Sequence, residues 1–410
     1  MDKNLYVYIN DKYEGVLNSE DDGKISFSYD EQAKMPLSMS LPIKGEAYSN
    51  AECHGFFNGL LPENNETRKF IGLKYGINPN NDFSILKAIG YDCPGAVSFL
   101  SEKDTHKLRE YYRLEGNILS ENDLEKFINE LPQKPLGTGI DDLRLSLAGA
   151  QTKTAVLQID KKIYLPKNFT PTTHILKPAI KDLKETVENE YICLKVAEKL
   201  GIKTAKATIQ KAGKINYLLI ERFDRVIKNG KIKRLHQEDF CQALNIASAY
   251  KYQADGGINF VQAFELLRKT SKPATYIKEF INLIIFNYLI LNNDAHGKNF
   301  SFLYKDNGEI EFAPAYDILC TKVYPRTTNN MAMSIGGCFN VGNITPVHFK
   351  RLAQAVNISY PLLCGIIKSQ CEIIPDIVKE VSDSFENKIG DKIVQLVSKH
   401  CSKNLKLFSK

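Results

Sequence analysis

Asp294 and Asn299 stand five positions apart in Asn293-Asp294-Ala295-His296-Gly297-Lys298-Asn299-Phe300-Ser301, and a third oxygen donor, Asp317, closes Ala313-Pro314-Ala315-Tyr316-Asp317. A carboxylate and an amide at Asp-x-x-x-x-Asn spacing, followed by a second carboxylate, meet the needs of phosphoryl transfer. Asp294 can accept or orient the proton of an attacking hydroxyl. Asn299 and Asp317 offer the hard oxygen donors that Mg²⁺ takes from proteins, commonly one or two alongside phosphate and water. Each residue alone is equally an ordinary helix end or turn; their order and spacing carry the reading.

Phosphoryl transfer also needs a cation and backbone amides on the phosphate tail. Lys177 ends the apolar run His174-Ile175-Leu176-Lys177 and precedes Pro178, a position suited to gripping phosphate. As a bare side chain it could equally snorkel from a strand end. Glu188 and Glu190, on the helix that follows, are alternative ion-pair partners between which the sequence does not choose. Ser146-Leu147-Ala148-Gly149-Ala150-Gln151-Thr152-Lys153 is rich in small residues that would let amides approach an anion. It holds one glycine and is neither a Walker loop nor Gly-x-Gly-x-x-Gly, so it is a weak signal by itself. Glu221-Arg222-Phe223-Asp224-Arg225 follows an apolar strand, where a hinge would offer backbone groups to adenine.

These groups need a scaffold. Apolar residues at three- and four-residue spacing, from Ile277 through Phe280, Ile281, Ile284 and Ile285 to Leu289, predict a buried helix over 274–292. The polar run from Asn292 to Asn299 follows it directly, and burying such a run is costly without a purpose. Strands are predicted over 300–304 and 310–312, joined by Asp306-Asn307-Gly308. Upstream, strands are predicted over 154–159, 174–177 and 215–220, with a helix over 185–200 stopped by Gly201. Residues 5–9, 25–29 and 96–100 read as strands and 67–75 and 82–89 as helices of an N-terminal unit. A helix is expected near 121–131, and a mostly helical region from His236 onward. The expected division is 1–105, 106–235 and 236–410.

The chain of 410 residues is 43% hydrophobic, enough for a large core, and carries a net charge of +6. That charge permits an acidic partner but bears on solubility and association rather than fold. Nine cysteines show no Cys-x-x-Cys pair and no zinc spacing to histidine, which points to a reducing compartment. No signal-peptide core opens the sequence, and its longest apolar stretch is too short to span a bilayer. A cytoplasmic protein without membrane contact is expected.

Taken together, SLAGAQTK (146–153), HILKP (174–178), ERFDR (221–225), LHQEDFCQAL (235–244), NDAHGKNFS (293–301) and APAYD (313–317) resemble the HipA family of bacterial toxin kinases. Residues 1–100 also resemble that family's N-terminal subdomain. The resemblance implies an α+β, two-lobed protein-kinase-like fold of the phosphoinositide-kinase type, with a small β-rich N-terminal subdomain and a largely helical C-terminal lobe. It implies an ATP- and Mg²⁺-dependent serine/threonine protein kinase in which Asp294 is the catalytic base. Ala148, Gly149, Ala150, Gln151, Thr152 and Lys153 would cover the phosphates and Lys177 would touch them. Glu221, Arg222 and Phe223 would bind adenine. His296, Gly297, Lys298 and Asn299 would complete the nucleotide and metal site, with Asp317 as metal ligand beside Tyr316. Ser146 matches a loop serine that the family autophosphorylates. The implied partners are a HipB-like helix-turn-helix antitoxin, operator DNA mainly through it, and a protein substrate such as an aminoacyl-tRNA synthetase.

Two other classes compete: a non-catalytic, DNA-bound corepressor subunit and a small-molecule phosphotransferase. The intact set Lys177, Asp294, Asn299 and Asp317 speaks against the first. Asn292-Asn293 ahead of Asp294, where the second usually has His-Gly-Asp, speaks against the other.

Overall fold

The structure is a computed structural model that describes residues 3–20, 23–137, 144–149 and 151–409. Ala150, one of the expected phosphate-loop residues, lies outside them. The chain forms two compact units. The first comprises 1–178, 210–249 and 302–310, and the second comprises 179–209, 250–301 and 311–410. The N-terminal residues and the strand region above thus cluster as one body.

In the first unit the N-terminal sheet runs Ile25–Tyr29, Lys12–Ser19, Asn4–Ile9, Val97–Leu100, all antiparallel. The strand Lys12–Ser19 escaped the sequence reading because it begins in polar residues and carries Gly15. Glycine is required there: a Cβ would stand 2.2 Å from the Ser28 carbonyl oxygen. The inner face packs Leu5, Val7, Leu17 and Phe27 on Phe56 and Phe57 of the helix Asn50–Gly59. Asn65–Tyr75 starts on the side chain of Asn64, which accepts from the amides of Glu66 and Thr67, and stops at left-handed Gly76.

A second sheet orders its strands Ala207–Ala212, Ile215–Glu221, His174–Pro178, Thr154–Ile159, Lys162–Pro166, Gly116–Ile118. Register pairs Lys177 with Leu218 and His174 with Glu221. The helix Glu121–Glu130 sets Leu124 and Ile128 against Val156, Leu176 and Leu219. Residues after His236 are less helical than expected: His236–Asp239 is a strand in this unit, and Asn330–Ile335 and Cys338–Asn340 form a ribbon in the second.

The second unit is built on the predicted buried helix, observed as Pro273–Leu289 with proline in its first turn. Phe280 gathers Phe264, Phe300, Phe260 and Phe312 at ring separations of 5.2–6.2 Å. The long helices Tyr360–Asp383 and Gly390–Phe408 complete this core, and Tyr288 donates its hydroxyl to Asn404 at 2.8 Å. Among the described residues no helix is long and apolar enough to cross a membrane. All nine cysteines are free thiols.

Candidate active site

In the second unit, the helix Pro273–Leu289 delivers the chain to Leu291, held at φ +62°, and the polar run begins. A non-glycine residue in that region costs energy that its surroundings must repay. Three asparagines hold the run in place. Asn292 donates its amide to Asn287 at 2.8 Å and accepts from the backbone of Asp294 at 3.2 Å. Asn293 donates to the Thr328 carbonyl, and its own carbonyl accepts from Ala332. The Asp294 carbonyl accepts from His296 N at 2.8 Å and from the Asn299 side-chain amide at 3.1 Å. The five-residue spacing is therefore the span of one closed turn. It leaves the Asp294 carboxylate exposed and spends the Asn299 amide nitrogen on the turn itself.

Asp317 is positioned by a parallel bridge, in which Ala205 N donates to Ala315 O and Ala315 N to Lys203 O, both at 2.8 Å. It adopts φ +57°, a second left-handed position 26 residues beyond Leu291. Tyr316 pins the same region, donating its hydroxyl to the Lys298 carbonyl at 2.7 Å and sharing a 2.6 Å hydrogen bond with Ser301. His296, Lys298 and Asn299 are buried. Burial pushes the His296 imidazole down to about 3, helped by Lys251 and Lys298 and opposed by Asp317. Its ring is neutral at neutral pH, and its Nδ1 is buried without a hydrogen-bond partner. The helix Thr186–Lys199 is tied to this unit by Asn189, which donates to the Cys320 carbonyl and accepts from the Cys320 amide. Glu188 and Glu190 are both buried on it.

Among the described residues no group of three or more His, Cys, Asp or Glu could by itself hold a metal ion. One carboxylate and one amide oxygen suit Mg²⁺ shared with phosphate, a site the protein alone does not close. The Asn299 amide, whose nitrogen is used on the Asp294 carbonyl, and the Asp317 carboxylate are of the donor types that set requires.

The small-residue loop belongs to the first unit. Asp92 N donates to Arg144 O at 3.0 Å, Ser146 N donates to Asp92 O at 3.1 Å, and the fully buried Ser146 hydroxyl donates to Leu60 O at 2.7 Å. Gly149 sits at φ +103°, and a Cβ there would stand 2.6 Å from Lys153 Nζ. The ammonium therefore curls over a backbone that only glycine permits. Lys177 is buried in its strand.

The hinge segment is anchored by an ion cluster that includes Asp92, which the sequence did not single out. Arg222 and Arg225 are enclosed with Asp92 and Asp224, all with side chains at most 5% exposed. Arg225 donates to Asp92 at 2.6 Å, Arg222 donates to Asp224 at 2.8 and 3.0 Å, and Thr172 gives Asp92 both its amide and its hydroxyl. Burial opposes charge on both acids, yet the guanidiniums hold Asp224 at about 2 and Asp92 below the usual carboxylate range. The Arg222 side chain is engaged here, its backbone amide donates to the Thr173 carbonyl at 2.9 Å, and its carbonyl accepts from Arg225 N at 3.2 Å. Phe223 is half-buried, while Glu221 keeps an exposed side chain at the strand end.

Residues 145–389 match the model of the HipA-like C-terminal domain, and residues 5–100 match the HipA N-terminal domain. A protein of Sinorhizobium fredii named as a kinase, Y4mE, is 36% identical over 393 residues, covering 93% of either chain. The serine/threonine-protein kinase toxin HipA of Shewanella oneidensis is 28% identical over 377 residues, 86% of this chain and 82% of that one. Among solved structures, HipA of Shewanella oneidensis MR-1, in a complex with HipB and its operator DNA, matches with a TM-score of 0.86 at 24% identity. The match covers 99% of this chain and 98% of that one. The likeness shows the α+β, two-lobed kinase-like fold.

Proposed function

Because the chain belongs to the HipA family of serine/threonine kinases, we propose that it is the toxin of a toxin–antitoxin pair. In this reading it phosphorylates a seryl or threonyl hydroxyl on a component of translation, such as an aminoacyl-tRNA synthetase. The observation that carries the proposal is the turn from Asp294 to Asn299, closed by the Asn299 side-chain amide, which leaves the Asp294 carboxylate exposed.

Each residue then has a role. Asp294 takes the proton of the acceptor hydroxyl as that hydroxyl's oxygen bonds to the γ-phosphorus, while the bond from the γ-phosphorus to the β–γ bridging oxygen breaks and ADP leaves carrying that oxygen. Asn299 and Asp317 hold Mg²⁺, which neutralises charge on the phosphates when bound. The neutral His296 and Tyr316 keep that loop in shape. Ala148 to Lys153 and Lys177 hold the phosphate tail, and Glu221 to Phe223 present backbone to adenine. Ser146 is a site of autophosphorylation that switches the loop off.

A small helix-turn-helix antitoxin is the expected partner, bringing the chain to operator DNA. The solved HipA relative in complex with HipB and operator DNA supports this. Incubation with radiolabelled ATP and Mg²⁺, offering protein and small-molecule acceptors in parallel, tests the reading. Label on protein alone is expected. Label on a small molecule, or on nothing, would replace the proposal with a phosphotransferase or a corepressor. Co-purification from the native host tests the partner.

A further inference from the structure

The segment Lys251-Tyr252-Gln253 runs along the catalytic turn of the same unit and touches it repeatedly. Tyr252 donates its hydroxyl to Asp294 Oδ1 at 2.7 Å. Its ring meets the His296 imidazole edge-on, centroids 5.2 Å apart at 87°. The Lys251 carbonyl accepts from Gly297 N at 3.4 Å. Gln253 accepts from Ser334 N at 2.8 Å, on the strand whose Ala332 amide reaches Asn293 O. The segment itself is rigid: a Cβ on Gly257 would fall 2.1 Å from the Tyr250 carbonyl oxygen, so the chain doubles back tightly here.

Asp294 is exposed, and a carboxylate in water samples several rotamers. A base works only when its oxygen is held within hydrogen-bond reach of the proton it takes. Tyr252 supplies the restraint. It binds Oδ1, and its own ring is packed edge-on against the buried His296. We infer that Tyr252 is a positioning residue for phosphoryl transfer, orienting the Asp294 carboxylate toward the acceptor. This rests on Asp294 being the base.

The test uses the full chain with γ-labelled ATP and Mg²⁺, reading phosphate release to water and label on the chain itself. Three variants are compared: Tyr252→Phe, Asp294→Asn and the double variant. Tyr252→Phe keeps the ring and removes one hydroxyl. It should lower kcat by about 10- to 100-fold, the scale of one hydrogen bond to a charged group. KM for ATP and the melting temperature should stay at the parent values. In the Asp294→Asn background the same change should cost nothing further, because the restraint acts through the carboxylate. An unchanged or raised kcat in Tyr252→Phe, a rise in KM instead, or a full further loss in the double variant overturns the inference. Parent turnover in Asp294→Asn alone removes the base assignment and the inference with it.

Discussion

The hydroxyl of Ser146 is fully enclosed and donates to the carbonyl of Leu60 at 2.7 Å. A phosphate adds about −1.5 to −2 charge and three acceptor oxygens, which such a position does not accommodate. In the proposed switch the loop would have to leave this seat before Ser146 is modified, and the modified loop would stay out. After incubation with ATP and Mg²⁺, mass spectrometry should find phosphate on Ser146. The modified protein should be cut faster by protease within 144–153 and should bind ATP more weakly. Equal ATP affinity in the two forms would end the switch model.

Asp294→Asn should fold and bind nucleotide normally while phosphoryl transfer falls by about 10²–10⁴-fold, the usual scale for a general base. Asp317→Ala should in addition lose the Mg²⁺ dependence of nucleotide binding, because it removes a carboxylate donor. Calorimetric titration of ATP with and without Mg²⁺ separates the two effects.

Asp92 joins two parts of the first unit. Its backbone holds Arg144 and Ser146, while its carboxylate holds Arg225 and Thr172. Asp92→Ala leaves buried guanidiniums without this counter-charge, a loss of about 3–5 kcal/mol. Urea unfolding should show that drop, and KM for ATP should rise because the loop base is released. Asp92→Asn, which keeps the hydrogen-bonding shape, should recover part of the KM.

Glu238 is fully buried, accepting from Ser38, Tyr304 and the Met39 amide, and burial raises its carboxyl to about 7. Asp239 adds to the rise, and neighbouring His236, held down at about 4 by burial, brings no positive charge at neutral pH. A carboxyl whose folded value exceeds its unfolded one stabilises below the unfolded value and loses that contribution as pH rises through the folded one. The melting temperature should fall between about pH 5 and pH 8, and Glu238→Gln should flatten that slope. An identical slope in the variant would show that another group sets it.

The sequence by itself determined the helix and the turn from Asp294 to Asn299 that follows it, because both are local. The apolar stripe of Pro273–Leu289 and the Asp294–Asn299 spacing are both set within about a helix and a turn of chain. The helices Asn65–Tyr75, Asp82–Ile89, Glu121–Glu130 and Thr186–Lys199 and the strands Thr154–Ile159 and His174–Pro178 were legible for the same reason, since short-range periodicity reports which face is buried. Strands such as Lys12–Ser19 and Arg225–Lys228 were not, because they mix polar and apolar residues without a clear alternation and their pairing is decided by distant neighbours. Only the tertiary structure decided the environment of each charge. Arg222 was expected beside a nucleotide, yet its guanidinium lies in an ion cluster with Asp92, 130 positions away. Tyr252 carried no sequence signal, and it reaches Asp294 across 42 positions. Hydrogen bonds and desolvation act through space, and a linear pattern records neither until folding has brought the groups together.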